Sequence, residues 1–93
     1  MSVLWGTLDG VGERAWWEGI QEVLNAHPVP ARFVRARVPI PVTARLVWEH
    51  DGGEETIDTE ANGWTRDLVL VIVDDARCHI RGIWLPVADI HRR

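Results

Sequence analysis

The chain has 93 residues, of which 46% are apolar and 26% charged, and these values are typical of a globular chain and not of a disordered one, and favour one domain with a single hydrophobic core. Its formal net charge of −4 weighs against a uniformly basic surface, and its single cysteine excludes an internal disulfide bond. The charge is segregated, because residues 23–48 are basic and residues 49–60 are strongly acidic.

Residues 9–27 carry the pattern of an amphipathic helix. Trp16, Ile20 and Val23 recur at spacings of three and four, with charged side chains on the opposite face. Pro28 follows and disfavours the helical conformation of the residue before it. The sequence therefore predicts an N-terminal helix that ends near residue 27.

Residues 28–41 contain four prolines around a short β-prone run. Because proline has no N–H to donate to a neighbouring strand, this segment is predicted to be an extended connector or an edge strand. Whether it joins the sheet stays open at this point.

Residues 42–93 are predicted to form an antiparallel meander of four or five strands. Apolar and polar side chains alternate along residues 42–49, and turn residues separate the later apolar runs. The expected strands are residues 42–49, 54–61, 68–73 and 78–85, followed by a helical turn over 87–90 and a last strand from 91. Residues 68–73 are apolar on both faces, which indicates a central strand covered by the barrel interior and by the helix.

The acidic stretch, residues 49–60, is interpreted as a solvated hairpin. Its carboxylates do not follow the register of a calcium loop, and alternation along a strand would place them on opposite faces. The four histidines are far apart, Cys78 has no evident base beside it, and no nucleophile motif occurs. We therefore expect no enzyme, no bound metal and no cofactor.

Two groups of residues are candidates for binding. The chain is rich in tryptophan, with six, and Trp64 beside Arg66 has the composition of an interaction hot spot. The basic segment holds Arg32, Arg35 and two further arginines, which suit phosphate groups but could equally pair with the acidic hairpin.

The strand and turn spacing over residues 42–93, which ends in GIWLPVADIHRR, resembles that of SH3-like small β-barrels of the KOW and Tudor kind. That resemblance implies that Pro86 ends a fourth strand, that residues 87–90 form a short helical turn, and that residues 91–93 begin a fifth strand. The segment WTRDLVLVIV, taken with GIWLPVADIHRR, also resembles small proteins of actinobacteria and their bacteriophages, a source that agrees with the absence of lysine. Neither resemblance implies a particular activity.

Together these features predict one α+β domain, residues 1–93, with the N-terminal helix (9–27) packed on a four- or five-stranded antiparallel, SH3-like β-meander or barrel. Residues 1–10 lack the features of a secretory signal and no apolar run is long enough to span a membrane, so a cytoplasmic location is expected. The main functional hypothesis is a non-enzymatic binding module for protein–protein contact, including contact with a second copy as a homodimer.

The residues assigned to the two functional hypotheses overlap. The partner-binding residues would be Trp64, Arg66, Arg45 and Arg81. The alternative is a nucleic-acid-binding accessory protein, which would use Arg32, Arg35, Arg37, Arg45 and Arg81.

Overall fold

One antiparallel sheet contains most of the residues that the computed structural model describes, which are 19–50 and 53–93. Its five strands are β1 (Val34–Trp48), β2 (Gly53–Trp64), β3 (Leu68–Ile72), β4 (Gly82–Pro86) and β5 (Ile90–Arg92). A 3-10 turn, Val87–Asp89, joins β4 to β5, and the strand order across the sheet is β4-β3-β2-β1-β5. Within the described ranges, no helix is long and apolar enough to cross a membrane.

The sheet curls until its two edge strands come close together. β4 and β5 lie at opposite edges, yet only the short turn Val87–Asp89 separates them in sequence. Five strands spaced about 4.8 Å apart would place the edges of a flat sheet about 19 Å apart. The four Cα–Cα steps from Pro86 to Ile90 reach at most about 15 Å. The sheet therefore cannot be flat, and it forms a barrel-like wall.

The inner face of this wall holds the hydrophobic core. Val42, Ala44, Leu46 and Trp48 of β1 are all buried, and the residues between them are only half-buried. The alternation predicted for residues 42–49 is therefore confirmed. The other core side chains come from β2, β3 and β4 and from the residue that follows β3: Ala61, Val69, Val71, Val73, Ile83 and Leu85.

Trp84 belongs to the outer face of the sheet. It pairs with Leu70 across β3 and β4, and paired residues of antiparallel strands share a face. The ring of Phe33 packs edge-on against the Trp84 ring, with the centroids 4.9 Å apart and the planes at 68°. An aromatic pair, and not the predicted helix, therefore covers this part of the outer face in the described structure.

The predicted N-terminal helix is wrong where the structure describes it, and the α+β fold class is corrected to an antiparallel β fold. Residues 19–27 contain no helix, and residues 9–18 lie outside the described residues. Gly19 has a φ of 87°, which right-handed helices do not contain, and Leu24 is exposed although the helix pattern placed it on the apolar face.

The physical reason is that residues 20–27, here called the seam segment, hydrogen-bond mainly to the sheet, with a turn bond of their own from the N–H of Ala26 to the carbonyl of Val23 (3.1 Å). The N–H of Leu24 donates to the carbonyl of Val47 on β1 (2.7 Å), and the N–H of His27 donates to the carbonyl of Trp84 on β4 (2.8 Å). β5 covers the same edge of β1 over only three residue pairs. The seam segment continues that edge and reaches across to β4.

Asn25 gives the seam segment the bonds that a strand would make. Its side-chain Nδ2 donates to the carbonyl of Arg45 (2.9 Å) and to Oδ2 of Asp89 (3.0 Å). Its Oδ1 accepts a hydrogen bond from the N–H of Val47 (3.0 Å). One amide therefore joins the seam segment to β1 and to the 3-10 turn.

Three element boundaries differ from the sequence prediction by three residues or more. Residues 34–41 belong to β1, so only residues 28–33 precede the sheet as a connector. β2 continues past its predicted end at residue 61 to Trp64. β4 begins at Gly82 and not at residue 78, because residues 75–78 form a turn in which the N–H of Cys78 donates to the carbonyl of Asp75. The end of β4 at Pro86 and the turn and strand after it are confirmed.

Candidate partner-binding site

Trp64 is the exposed tryptophan of the described residues. It ends β2 and lies between Val34 of β1 and Val69 of β3 in the two ladders. Trp64 is 36% exposed and Val34 54% exposed, whereas Trp48 and Trp84 are each 3% exposed. The end of β2 therefore exposes a tryptophan ring, whereas the rings of Trp48 and Trp84 are buried.

A bulge shapes this end of the sheet. Between the pairs Arg35–Gly63 and Ile40–Ala61, four residues of β1 lie opposite a single residue of β2. The ladder between β2 and β3 also shifts between Ala61 and Gly63. Bulges bend a strand and increase its twist, so the sheet is irregular where β2 ends at Trp64.

Gly63 allows the close contact between β2 and the start of β1. A Cβ atom at this position would lie 2.9 Å from the carbonyl oxygen of Val34 and 3.3 Å from Cδ2 of Phe33. We expect Gly63→Ala to lower the free energy of unfolding by about 1–3 kcal/mol, because backbone must move to admit the methyl group. Urea denaturation measures this loss.

Gly82→Ala is the matched control for Gly63→Ala. Its added Cβ would meet only Cδ1 of Leu70, at 3.2 Å, and a flexible side chain can move away. The loss should therefore be smaller than for Gly63→Ala. Equal losses in the two variants would contradict the proposed backbone contact.

Two hollows meet at Trp64. The first, of about 340 Å³, is lined mainly by aliphatic side chains, among them Val42, Val69 and Val87, and by Arg92. The second, of about 560 Å³, shares Trp64 and Thr65 with the first; its lining residues are Arg32, Phe33, Val34, Trp64, Thr65 and Arg66. Trp64 therefore forms a wall shared by both hollows.

The loop after β2 holds Arg66 in place beside the ring. The hydroxyl oxygen of Thr65 accepts hydrogen bonds from the N–H groups of Asp67 (3.1 Å) and Leu68 (3.0 Å). The N–H of Val87 donates to the carbonyl of Asp67 (2.9 Å). The loop is thus fixed both to itself and to the 3-10 turn, so that Arg66 extends from a well-defined backbone.

The arginines at the rim of the hollows have no carboxylate partner among the residues that the structure describes. Arg32, Arg66 and Arg92 form no ion pair with any residue in the described ranges. The guanidinium of Arg35 lies 5.2 Å from the centroid of the Phe33 ring, which is cation–π distance. The site therefore combines apolar and aromatic surface with a cationic border.

Arg45, predicted to bind a partner or nucleic acid, is held by carboxylates. Its guanidinium donates to both oxygens of Glu54 (2.8 and 2.9 Å) and to Oδ1 of Asp89 (3.1 Å). The hydrogen bond from Arg45 holds the pKa of Glu54 below its ordinary value. Arg45 lines neither hollow at Trp64.

The remaining predicted residues lie in different places. Arg66 and Arg32 share one hollow with Trp64, and Arg35 lies near it over Phe33. Arg37 is exposed in the bulge of β1, and Arg81 is exposed just before β4 and lines neither hollow. The structure therefore brings together Trp64, Arg66 and Arg32, and separates them from Arg45 and Arg81.

Sequence reasoning missed Val34, Val87 and Arg92 as parts of the site. Each is far from Trp64 in sequence and comes near it through strand pairing or through the 3-10 turn. The clearest available signal was Phe33, the chain's one phenylalanine, which follows the proline-rich connector. No local pattern indicates that Val34 pairs with Trp64.

The acidic stretch is divided between two sets of partners. Residues of β1 and β2 form the predicted hairpin, with Trp48 paired to Gly53. Glu54 bonds to Arg45, and the next residue, Glu55, bonds to Arg77 at 2.7 Å. In the part of the chain that the structure describes, no three histidine, cysteine or acidic side chains are grouped so as to hold a metal ion.

Arg77 is the centre of a structural cluster at the hairpin end of the sheet. Its guanidinium lies 3.9 Å from the centroid of the Trp48 ring and donates to Glu55 and Asp75. The indole N–H of Trp48 also donates to Glu55 (2.9 Å). Side-chain and backbone hydrogen bonds from Arg77 lower the pKa of Asp75 to about 2.

This lowered pKa predicts a loss of stability in acid. The Asp75 carboxylate titrates near 3.8 when free and near 2 in the folded protein, so its contribution is present above about pH 4 and disappears towards pH 2. Urea midpoints measured from pH 5 to pH 2 should fall, and Asp75→Asn should reduce the slope. Glu60→Gln removes an exposed carboxylate and is the control. An unchanged slope in Asp75→Asn would contradict the assignment.

Comparison with protein-family models, with curated proteins and with solved structures found no significant match to this chain. The resemblance to SH3-like barrels and to proteins of actinobacteria and bacteriophages therefore stays a prediction.

Proposed function

We propose that the protein is a small non-enzymatic binding module that contacts a protein partner through the two hollows beside Trp64. The observation that carries this proposal is an exposed tryptophan bordered by Arg32, Arg66 and Arg92, none of which is ion-paired in the described ranges. Tryptophan and arginine are the residues most enriched in interface hot spots. An arginine without an internal partner can bind a new one without losing an existing bond.

The free energy gained by apolar contact alone is too small for stable association with a partner. Burying the exposed third of Trp64 contributes about 2 kcal/mol, and burying the exposed halves of Val34 and Val87 about 1 kcal/mol each. The sum, about 4 kcal/mol, only matches the lower limit of the roughly 4–15 kcal/mol lost on association. Useful affinity must therefore also come from the arginines.

Protein capture from a lysate of the native host tests the proposal. Immobilised wild-type protein should retain a partner that Trp64→Ala loses. Circular dichroism at the capture temperature checks that Trp64→Ala is still folded, because the variant also removes the covered part of the ring. Ile80→Ala truncates another exposed apolar residue that lines neither hollow, and it should retain the partner. Identical captured proteins in all three samples would refute a role for the Trp64 site.

A second copy of the chain is one form that the protein partner can take. The basic residues 23–48 and the acidic residues 49–60 offer opposite charges that two copies could match across a two-fold axis. Light scattering at low salt and at about 0.5 M salt, where the Debye length is about 4 Å, measures this. A monomer at every concentration and salt level would exclude the homodimer and leave a different protein as partner.

Nucleic-acid binding is the second candidate. The observation in its favour is that Arg32, Arg35 and Arg66 lie beside two aromatic rings, Phe33 and Trp64. Proteins that bind single-stranded nucleic acids combine cationic and aromatic side chains in this way. The involvement of Arg45 with Glu54 and Asp89 removes one of the five arginines first assigned to this role. Binding of this kind would weaken steeply with salt.

A further inference from the structure

We infer that the partner presents an acidic peptide segment with an apolar anchor side chain, and that the anchor enters the first, mainly aliphatic hollow beside Trp64. This inference rests on the proposed function and adds the chemistry of the partner. It follows from three properties of the two hollows: the side chains that line them, the arginines at their rims, and the presence of Trp64 in the lining of both.

The lining of the first hollow selects an apolar group. Val42, Val69 and Val87 contribute branched aliphatic side chains, and the volume of about 340 Å³ is at the lower limit for ligand pockets. A hollow of this size takes one or two side chains and not a larger ligand. The exposure of Val87, 52%, shows that the hollow opens to solvent at the 3-10 turn.

The charges at the rim select an acidic segment. Arg92 lines the first hollow, and Arg32 and Arg66 line the second, so both hollows that Trp64 borders have cationic groups. Among the residues that the structure describes, no carboxylate lines either hollow. A peptide that occupies both hollows can therefore place carboxylates near the arginines of each, where guanidinium groups form bidentate hydrogen bonds with them.

A peptide fits these features better than a nucleic acid. Bases bind by stacking on aromatic faces, whereas the first hollow is mainly aliphatic. Oligonucleotide binding is accordingly an outcome that would count against the inference.

Fluorescence anisotropy with defined probes tests the inference. The probes are labelled peptides of about nine residues with a central Leu or Phe flanked by Glu, matched peptides with Gln for Glu, matched peptides with Ala at the centre, and labelled single-stranded DNA and RNA. We expect the acidic anchored peptides to bind saturably at about 50 mM salt. Either replacement in the peptide should weaken binding about tenfold or more.

Variants of the protein locate the binding. Arg66→Gln and Arg92→Gln should each weaken binding of the acidic peptide about five- to tenfold. Val87→Glu, at an exposed position of the 3-10 turn, should abolish binding because it places a carboxylate at the hollow, and it avoids any folding defect of Trp64→Ala. Arg81→Gln removes an arginine that lies outside both hollows and has no ion pair with residues 19–50 or 53–93, and it should leave binding unchanged.

Several results would overturn the inference: equal binding of the Glu and Gln peptides, binding of oligonucleotides in place of peptides, or no saturable binding of any peptide. The capture experiment separates this failure from failure of the proposed function. If no peptide binds but Trp64→Ala still loses a captured protein, only the acidic-segment inference fails. If Trp64→Ala also captures the same proteins as wild type, both fail.

Discussion

Replacing Asn25 by alanine is expected to lower the free energy of unfolding by about 3 kcal/mol, although the side chain is small and polar. The change removes hydrogen bonds to the carbonyl of Arg45, the N–H of Val47 and the carboxylate of Asp89. An amide or carbonyl left without a partner when partly buried costs about 1–3 kcal/mol. For a domain of this size the melting temperature should fall by about 10–20 °C, which calorimetry measures.

Two controls define what Asn25 does. Gln21→Ala removes another amide of the seam segment, whose Oε1 accepts one exposed bond from the N–H of His50, so its cost should stay under about 1 kcal/mol. Asn25→Asp keeps the acceptor for Val47 but places a carboxylate against Asp89, so its loss should be greater at pH 7 than at pH 4. Equal losses for Asn25→Ala and Gln21→Ala would contradict the role assigned to Asn25.

Trp48→Ala should have a still larger effect, about 3–5 kcal/mol, out of a total stability of about 5–15 kcal/mol. The side chain is 3% exposed and belongs to the core cluster. Its ring makes a cation–π contact with Arg77, and its indole N–H donates a hydrogen bond to Glu55. Urea denaturation followed by circular dichroism measures the loss.

Trp48→Phe and Leu24→Ala accompany this variant. Trp48→Phe keeps most of the buried area but leaves Glu55 without the indole donor, so about 1–2 kcal/mol should be lost. Leu24 is 58% exposed, and Leu24→Ala should change stability by no more than about 0.5 kcal/mol. If Trp48→Ala cost no more than Leu24→Ala, the core position of Trp48 would be disproved.

Those parts of the sheet in which local pattern and burial agree were predictable from sequence. Apolar residues at every second position from Val42 to Trp48 face the core, because a strand turns successive side chains to opposite sides. Pro86 ends β4, since proline lacks the N–H that a further ladder bond requires. These features depend on neighbours in sequence and therefore show in the sequence.

The helix prediction was wrong over residues 19–27. Apolar residues at helical spacing favour a helix only when they pack together against one surface. Val23 bridges to Trp48 and His27 bridges to Trp84, so the two residues serve different strands. Asn25 also bonds to the backbone of β1, and asparagine favours such contacts over helical ones. Long-range hydrogen bonds decided the conformation, and sequence spacing contains no record of them.

The candidate site was predictable in part for a related reason. Trp64 and Arg66 are two positions apart, so composition alone brought them together, and the structure places them at one hollow. Arg45 was assigned to the same site because it is basic, but its position opposite the acidic strand pairs it with Glu54. The choice between an internal and an external partner for an arginine depends on strand register, which a bulge can shift.

The seam segment also affects the order in which contacts form during folding. The bridge between His27 and Trp84 joins residues separated by more than half of the chain, whereas β1 and β2 are joined by a short hairpin. Closing a long loop costs entropy before any contact repays it, so the hairpin should be the early nucleus and the seam among the last contacts made. The same bonds would then be the first to open when the protein unfolds, and amide hydrogen exchange should be faster at Leu24 and His27 than in the centre of β1.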